Sequence, residues 1–308
     1  MYFCARSMDS AEHINDQSGE GRKRPDSMPI AEAESRLSRR LQKEFGKREG
    51  KFIAKALLED LFGIRHAALS EASLDADQID QLSKAVHQLL DGIPLQYVTS
   101  KAHFFGLELE VNPSVLIPRP ETEEVVHTGK ENLVGWEPLR ILDVGTGSGC
   151  IAIALAKEMP GAEVLACDVS GAALEVARRN AEKHQVKVEF LELDFLDSRN
   201  WSRFGQVDAV VSNPPYIDPT EQLEARVVDH EPHTALFSPP GKALAFYEAL
   251  AEFGKQAMSS RLQGIYSMFM ETSSVTGQDA KWHFRNRGYR CNLRRDLSGR
   301  DRILVAGR

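Results

Sequence analysis

The sequence predicts an α/β chain, an open sheet covered by helices with a small helical segment in front of it, and three observations predict it. Leu139 to Val144 is an apolar, strand-like run that breaks into Gly145-Thr146-Gly147-Ser148-Gly149 and continues as the apolar stretch Ile151 to Ala156. Two further apolar runs, Glu163 to Cys167 and Val207 to Val211, end in Asp168 and in Ser212-Asn213-Pro214-Pro215-Tyr216. Upstream, Leu37, Leu41 and Phe45 recur at four-residue spacing, and Phe52, Ile53, Ala56, Leu57 and Leu61 form a second stripe of the amphipathic helical kind.

The chain in order begins with a polar stretch, residues 1 to 29, which holds Gly19, Gly21, Pro25 and Pro29 and the cluster Arg22-Lys23-Arg24 and reads as a disordered tail. Residues 30 to 91 read as a helical domain whose third stripe is Leu74, Ile79, Leu82, Val86, Leu89 and Leu90. Gly92 and Pro94 end the helices. Leu95 to Val111 then alternates, with Phe105, Leu107, Leu109 and Val111 on one face, as a half-buried hairpin does, and residues 92 to 117 read as a hairpin linker. From residue 118 to 308 the α/β domain follows, opening on a helix that starts near Pro120, with Glu121, Glu123 and Glu124 in its first turn, and runs to about Leu133.

The glycine turn after Leu139 to Val144 has no glycine at position 150, where a dinucleotide fingerprint needs one and this chain has Cys150. A nicotinamide dehydrogenase is therefore disfavoured. Glycines at 145, 147 and 149 suit close backbone approach to a ligand without a pyrophosphate. Asp168, about twenty residues on, can take both hydroxyls of an adenosine ribose. Ser170 can cap a helix from Gly171 to His184, and the strand Val186 to Leu193 ends in Asp194-Phe195. That pair suits an adenine amino group and ring, or equally a polar strand end beside a core phenylalanine.

The Asn213 side-chain carbonyl and the Pro214 backbone carbonyl are two acceptors stiffened by the rings of Pro214 and Pro215. They suit a planar NH2 group, an amide or an exocyclic amine, with Tyr216 offering an aromatic face; the bland alternative is a turn after a strand. Beyond them, a helix is expected from Ala243 to Met258, a strand from Gly264 to Glu271, a helix from Thr276 to Arg287, and an antiparallel pair at Tyr289 to Leu293 and Arg302 to Val305. Arg294, Arg295, Arg300 and Arg302 read as a solvated basic edge.

Composition narrows the function. At 308 residues and 42% hydrophobic, the chain can build one large core and a smaller one. A net charge of -7 with a pI near 5.8 argues against a stable nucleic-acid partner held through phosphates. Cys4, Cys150, Cys167 and Cys291 are scattered and read as free thiols in a reducing cytoplasm, and neither they nor the histidines, His230 and His233 being the nearest pair, show metal-ligand spacing. No apolar run approaches the ~20 residues of a membrane span.

With these residues in view the chain resembles the HemK/PrmC family of N5-glutamine methyltransferases that modify peptide chain release factors. The resemblance covers roughly residues 40 to 308. It rests on Pro94-Leu95-Gln96-Tyr97-Val98, Phe104-Phe105-Gly106-Leu107, Leu116-Ile117-Pro118-Arg119-Pro120-Glu121-Thr122-Glu123, Asp143 to Gly149, Ser212 to Tyr216 and Asp296 to Arg302. It implies a seven-stranded, Rossmann-like class I methyltransferase sheet, a helical domain that docks the release factor, and S-adenosylmethionine as methyl donor. By position it implies cofactor contacts at Gly145, Thr146, Gly147, Ser148, Gly149, Asp168, Asp194, Phe195 and Asn213, and a glutamine site at Asn213, Pro214, Pro215 and Tyr216, with no metal. A cytoplasmic monomer is expected. The chain departs from the family pattern at Ser238 to Leu244 and at Gln263-Gly264. Two rivals use the same features: a nucleic-acid amino-methyltransferase of the N6-adenine type, and a non-catalytic adaptor that keeps the cofactor pocket.

Overall fold

The computed structural model describes residues 26–65, 71–136, 138–221, 225–296 and 298–308. Most of the stretch read as a disordered tail, residues 1–25, lies outside the described residues. Its last residues do not behave as a tail. Strand β1 (Ser27–Pro29) pairs antiparallel with β2 (Ser73–Asp75), setting Met28 opposite Leu74, with Met28 packed on the helical core. A three-residue pairing is too short for its alternation to stand out in the sequence.

Helices α1 (Ile30–Phe45) and α2 (Lys47–Phe62) bury the two stripes read from the sequence, Leu37 and Leu41 against Ile53 and Leu57. Gly50 makes their close packing feasible, because a β-carbon there would sit 2.5 Å from the backbone nitrogen of Gln42. α3 (Ala76–Leu90) starts at a capping box in which Asp75 accepts from the Gln78 backbone and the Gln78 side chain accepts from the Asp75 N–H. Leu74, grouped with this helix in the sequence reading, lies in β2.

The segment read as a hairpin from residue 95 is first a helix, α4 (Leu95–Thr99), and then the hairpin β3 (Lys101–Phe104) and β4 (Leu107–Glu110). Its buried face is Ala102, Phe104, Leu107 and Leu109; Phe105 sits in the turn at φ 50°. A single helical turn and an alternating strand share too few residues to be told apart by period.

Next comes a 3-10 turn, Pro120–Thr122, and α5 (Glu123–Leu133). The sheet follows as β5 (Arg140–Val144), α6 (Cys150–Glu158), β6 (Glu163–Asp168), α7 (Gly171–Lys183), β7 (Val188–Glu192) and β8 (Ala209–Ser212). Two short helices the sequence did not signal, α8 (Ala225–His230) and α9 (His233–Leu236), come before α10 (Ala245–Gln256). The chain closes with β9 (Met268–Glu271), α11 (Gly277–Asn286), β10 (Arg290–Arg295) and β11 (Asp301–Gly307). Seven strands stand in the order β10-β11-β9-β8-β5-β6-β7, the seven-stranded sheet expected. β5 to β9 are parallel and the β10-β11 hairpin closes one edge antiparallel. Apolar cores cover both faces, one built on Trp201, Phe204, Tyr247 and Phe253, the other on Val125, Ile151, Leu155 and Phe269.

The topology places the site. β5 has β6 on one side and β8 on the other, so the chain leaves β5 in opposite directions and a crevice opens at these carboxyl ends. The β3-β4 hairpin is fastened beside it by Asn180 of α7, which is fully buried. Its Oδ1 accepts from the Glu110 N–H at 2.7 Å, while its Nδ2 donates to the carbonyls of Glu110 and Ser148 at 2.9 and 3.0 Å. Asn180→Ala strands three backbone groups, so urea unfolding is expected to show a loss of about 2–4 kcal/mol. Among the described residues, no helix is long and apolar enough to cross a membrane.

Candidate functional site

The floor of the crevice is backbone. Gly145 and Thr146 donate their N–H groups to the Cys167 carbonyl at 2.9 and 3.0 Å, tying the loop after β5 to β6. Gly145 and Gly147 have φ of 73° and 53°, both line the cleft, and a β-carbon at either would meet no atom within 4 Å. The chain thus leaves room for a ligand against bare peptide. Gly149 serves packing instead: it does not line the cleft, and a β-carbon there would lie 2.9 Å from Ile153 Cδ1. Thr146 and Ser148 line the cleft beside the two open glycines.

Asp168 ends β6 in the same cleft. Its Oδ2 accepts from the Gly147 N–H at 2.9 Å and its Oδ1 from the Ser170 N–H at 3.0 Å, which fixes the carboxylate and leaves each oxygen a lone pair for a ligand hydroxyl. Burial raises its pKa and these N–H groups oppose the rise. Ser170 also caps α7, as expected, by accepting from the Ala173 N–H.

Asp143 lies fully buried beneath the loop. Its Oδ2 accepts from Thr146 Oγ1 at 2.7 Å and from the Ala152 N–H at 3.2 Å, whereas its Oδ1 has no hydrogen-bond partner among the described residues. Burial pushes this carboxyl from 3.8 up to about 7, against the two hydrogen bonds and with help from the Asp168 charge. Between about pH 4 and 7 the folded chain therefore holds a proton that the unfolded chain has lost, and this group's contribution to stability falls as pH rises through that window. Denaturant unfolding at pH 5 and pH 7 is expected to show a drop in wild type that Asp143→Asn lacks, on the order of 2 kcal/mol.

Asp194 and Phe195, at the end of the β7 segment, both line the cleft. Asp194 is exposed, and its Oδ1 accepts from the Leu196 N–H. Phe195 meets both sequence readings. It borders the cleft and is also a core residue, with its ring centroid 5.4 Å from Phe253 and 5.8 Å from Trp201.

The end of β8 is joined to β5 by Ser212, whose hydroxyl donates to the Val144 carbonyl at 2.7 Å. The next residue, Asn213, lines the cleft together with Pro215; because Ser212 pairs with Val144, it follows β8 where Gly145 follows β5. Its Nδ2 donates to Thr122 Oγ1 at 3.1 Å, and Thr122 Oγ1 lies 2.6 Å from Glu271 Oε2 at the end of β9. Pro214 is buried and does not line the cleft. Neither does Tyr216, expected to offer its ring to the ligand: the ring packs on the core, and its hydroxyl donates to Glu271 Oε1 at 3.3 Å. Burial, reinforced by the Glu271 charge, holds that phenol well above its ordinary range.

The sequence reading missed four residues of this region. Arg119 pairs with Glu231 at 2.5 Å, and Glu231 Oε2 also accepts from the Ile117 N–H, which ties the Pro118-Arg119 segment to the chain just before α9; Pro118, Arg119, Pro232, Thr234 and Ala235 all line the cleft. Thr122 and Glu271 form the relay to Asn213. An acid closing an apolar strand-like run was the signal for Glu271, the same signal that found Asp168. Arg302, read as part of a solvated basic edge, turns inward instead: it lies 3.4 Å from Asp296 and 4.0 Å from Glu271, where its charge opposes the rise that burial imposes on the Glu271 pKa. Ser238, one of the departures from the family pattern, fastens the loop after the motif by donating its N–H and hydroxyl to the Ile217 carbonyl. Cys150, Cys167 and Cys291 are free thiols, and burial pushes Cys150 up to about 12.

Two family models match the chain: the PrmC N-terminal domain over residues 30–99 and the methyltransferase small domain over residues 131–232. A release factor glutamine methyltransferase from Flavobacterium psychrophilum is 38% identical over 76% of this chain and 82% of its own. One from Bacteroides thetaiotaomicron is 37% identical over 87% and 96%, and one from Bacillus subtilis 36% identical over 78% and 84%. Among solved structures, the hMettl16 catalytic domain in complex with a MAT2A 3'UTR hairpin superposes with a TM-score of 0.50 over 77% of this chain and 84% of its own. At 17% identity that likeness concerns the class I methyltransferase fold alone. Identity of this extent to the three bacterial relatives, over most of both chains, means that the chain belongs to the release factor glutamine methyltransferase family.

Proposed function

We propose that the chain transfers a methyl group from S-adenosylmethionine to the side-chain amide nitrogen of the glutamine in the Gly-Gly-Gln motif of peptide chain release factors. The observation that carries this reading is the placement of Asn213 on the same cleft as Gly145, Gly147 and Asp168, at the ends of three adjacent strands. A donor held by the loop and an acceptor held by Asn213 would then face each other.

The residues fit the donor. The open backbone at Gly145 and Gly147 leaves space for it, the two Asp168 oxygens can accept the ribose hydroxyls, and Asp194 and Phe195 can take the adenine edge and ring. S-adenosylmethionine, when bound, supplies an electrophilic sulfonium methyl. The protein's task lies on the other side, because an amide nitrogen is a poor nucleophile whose lone pair is delocalised, as an amide rotation barrier of ~18–20 kcal/mol indicates. Asn213 Oδ1 and the Pro214 carbonyl accept the two N–H bonds of the glutamine amide, orient its nitrogen toward the methyl and stabilise positive charge developing on it. Proton loss follows transfer, so no dedicated general base is required.

The same acceptor pair discriminates against glutamate, whose carboxylate has no proton to offer two acceptors. A release factor with glutamate in place of the Gly-Gly-Gln glutamine is expected to be methylated at least ~10⁴-fold more slowly, and comparable rates on the two would refute the acceptor-pair assignment. The helical segment 30–91 serves as the docking domain for the release factor, residues 92–117 as its linker and residues 118–308 as the catalytic domain. We read the enzyme as a cytoplasmic monomer without a stable nucleic-acid partner, and its net charge of -7 supports the last of these.

A further inference from the structure

We propose that Thr122, itself directed by Glu271, dictates which way round the Asn213 amide sits and thereby makes the site selective for an amide over a carboxylate. The inference rests on the functional reading above and gives a role to the Pro-Arg-Pro-Glu-Thr-Glu stretch.

Thr122 has one hydroxyl proton and two lone pairs. Its Oγ1 lies 2.6 Å from Glu271 Oε2 and 3.1 Å from Asn213 Nδ2. Burial raises the Glu271 pKa, while the Thr122 hydroxyl, the Arg302 charge and the Tyr216 hydroxyl oppose that rise; as a carboxylate held by these partners Glu271 can only accept, and the Thr122 proton then goes to it. Only lone pairs are left for Asn213, which can meet them only through an Nδ2 N–H. Its other end, the carbonyl Oδ1, is then the group available to the cleft. In the flipped amide, Oδ1 would meet the Thr122 lone pairs, and an N–H donor would face the donors of the incoming glutamine. Both contacts would be repulsive.

The relay is held from several sides. Thr122 and Glu271 are each 2% exposed. The Tyr216 hydroxyl donates to Glu271 Oε1, the Tyr247 hydroxyl donates to the Glu271 backbone carbonyl at 2.8 Å, and the Arg302 guanidinium lies 4.0 Å from the carboxylate. Thr122 ends the 3-10 turn that Pro120 begins, and Arg119, just ahead of it, is pinned by Glu231. The stretch is thus anchored at Arg119 and delivers its hydroxyl at Thr122. Thr122 acts through Asn213 and is a positioning residue.

The test uses the full-length enzyme, S-adenosylmethionine and a purified release factor, with cofactor affinity measured on every variant. Thr122→Val, similar in shape but unable to accept from Asn213, is expected to lower kcat by ~10²-fold, with KM and cofactor affinity within about threefold of wild type. Thr122→Ser is expected to restore kcat to within about fivefold of wild type, since it keeps the hydroxyl. A second arm reverses the relay. Asn213→Asp sets two acceptor-only groups against one Thr122 proton and is expected to lose transfer. Adding Glu271→Gln supplies an Nε2 N–H to Thr122 Oγ1, frees the Thr122 proton for the carboxylate introduced at position 213, and is expected to recover at least ~10-fold. Wild-type kcat in Thr122→Val, or no recovery in the double variant, overturns the proposal while leaving the functional reading in place. Failure of the wild-type enzyme to label the release factor glutamine overturns both.

Discussion

Asn213→Ala is expected to reduce methyl transfer to the release factor by at least ~10³-fold while S-adenosylmethionine affinity stays within about threefold of wild type. The substitution removes the side-chain acceptor at the end of β8 and leaves the Thr122 hydroxyl without its donor, but it does not touch the glycine loop or Asp168. Catalysis and cofactor binding should therefore separate. Single-turnover kinetics alongside calorimetric titration of the cofactor measure both. Transfer within tenfold of wild type would remove Asn213 from the acceptor site.

Asp168→Ala is expected to have the complementary profile, with cofactor affinity falling by roughly 10²-fold or more. Two charge-assisted hydrogen bonds to ribose hydroxyls are each worth about 1.5–3 kcal/mol, and the substitution also frees the Gly147 and Ser170 N–H groups that the carboxylate now organises. Saturating cofactor should restore much of the rate. The pH dependence has a definite sign: the acceptor role needs the ionised carboxylate, and burial raises its pKa. Affinity should therefore fall as pH decreases, beginning above the pH at which an exposed aspartate would protonate, and calorimetry from about pH 4 to 8 measures that limb.

What was legible in the sequence was local. The glycine loop, Asp168 and the Asn213 motif each sit within a few residues of an apolar strand, so the strand pattern carried them to the same edge of the sheet. Phe195 was readable only as an alternative, because a strand-end aromatic can wall a cleft and fill a core at once, and here it does both. Tyr216 misled for a related reason: proximity to Asn213 in sequence says nothing about which way its ring turns, and the Glu271 hydrogen bond and core packing turn it inward. Short elements were the other loss. Leu95–Thr99 and His233–Leu236 are single turns with too few residues to show a period.

The relay was out of reach altogether. Thr122 and Glu271 are 149 positions apart, and only the sheet order, which sets β9 beside β8, brings the carboxylate under the residue after β8. Arg302 shows the same thing from the opposite side. In sequence it is one of several arginines near the C-terminus; in the fold it is a cation set beside a buried acid.

The measurement that tests the central claim most directly is transfer of isotopically labelled methyl from S-adenosylmethionine to a purified release factor, followed by peptide mass spectrometry to place the label. A variant release factor with its Gly-Gly-Gln glutamine replaced runs in parallel, and DNA and RNA serve as alternative acceptors. The account predicts label on that glutamine nitrogen alone, with none on the variant and none on nucleic acid. Label on another residue, on nucleic acid, or nowhere despite bound cofactor would contradict it.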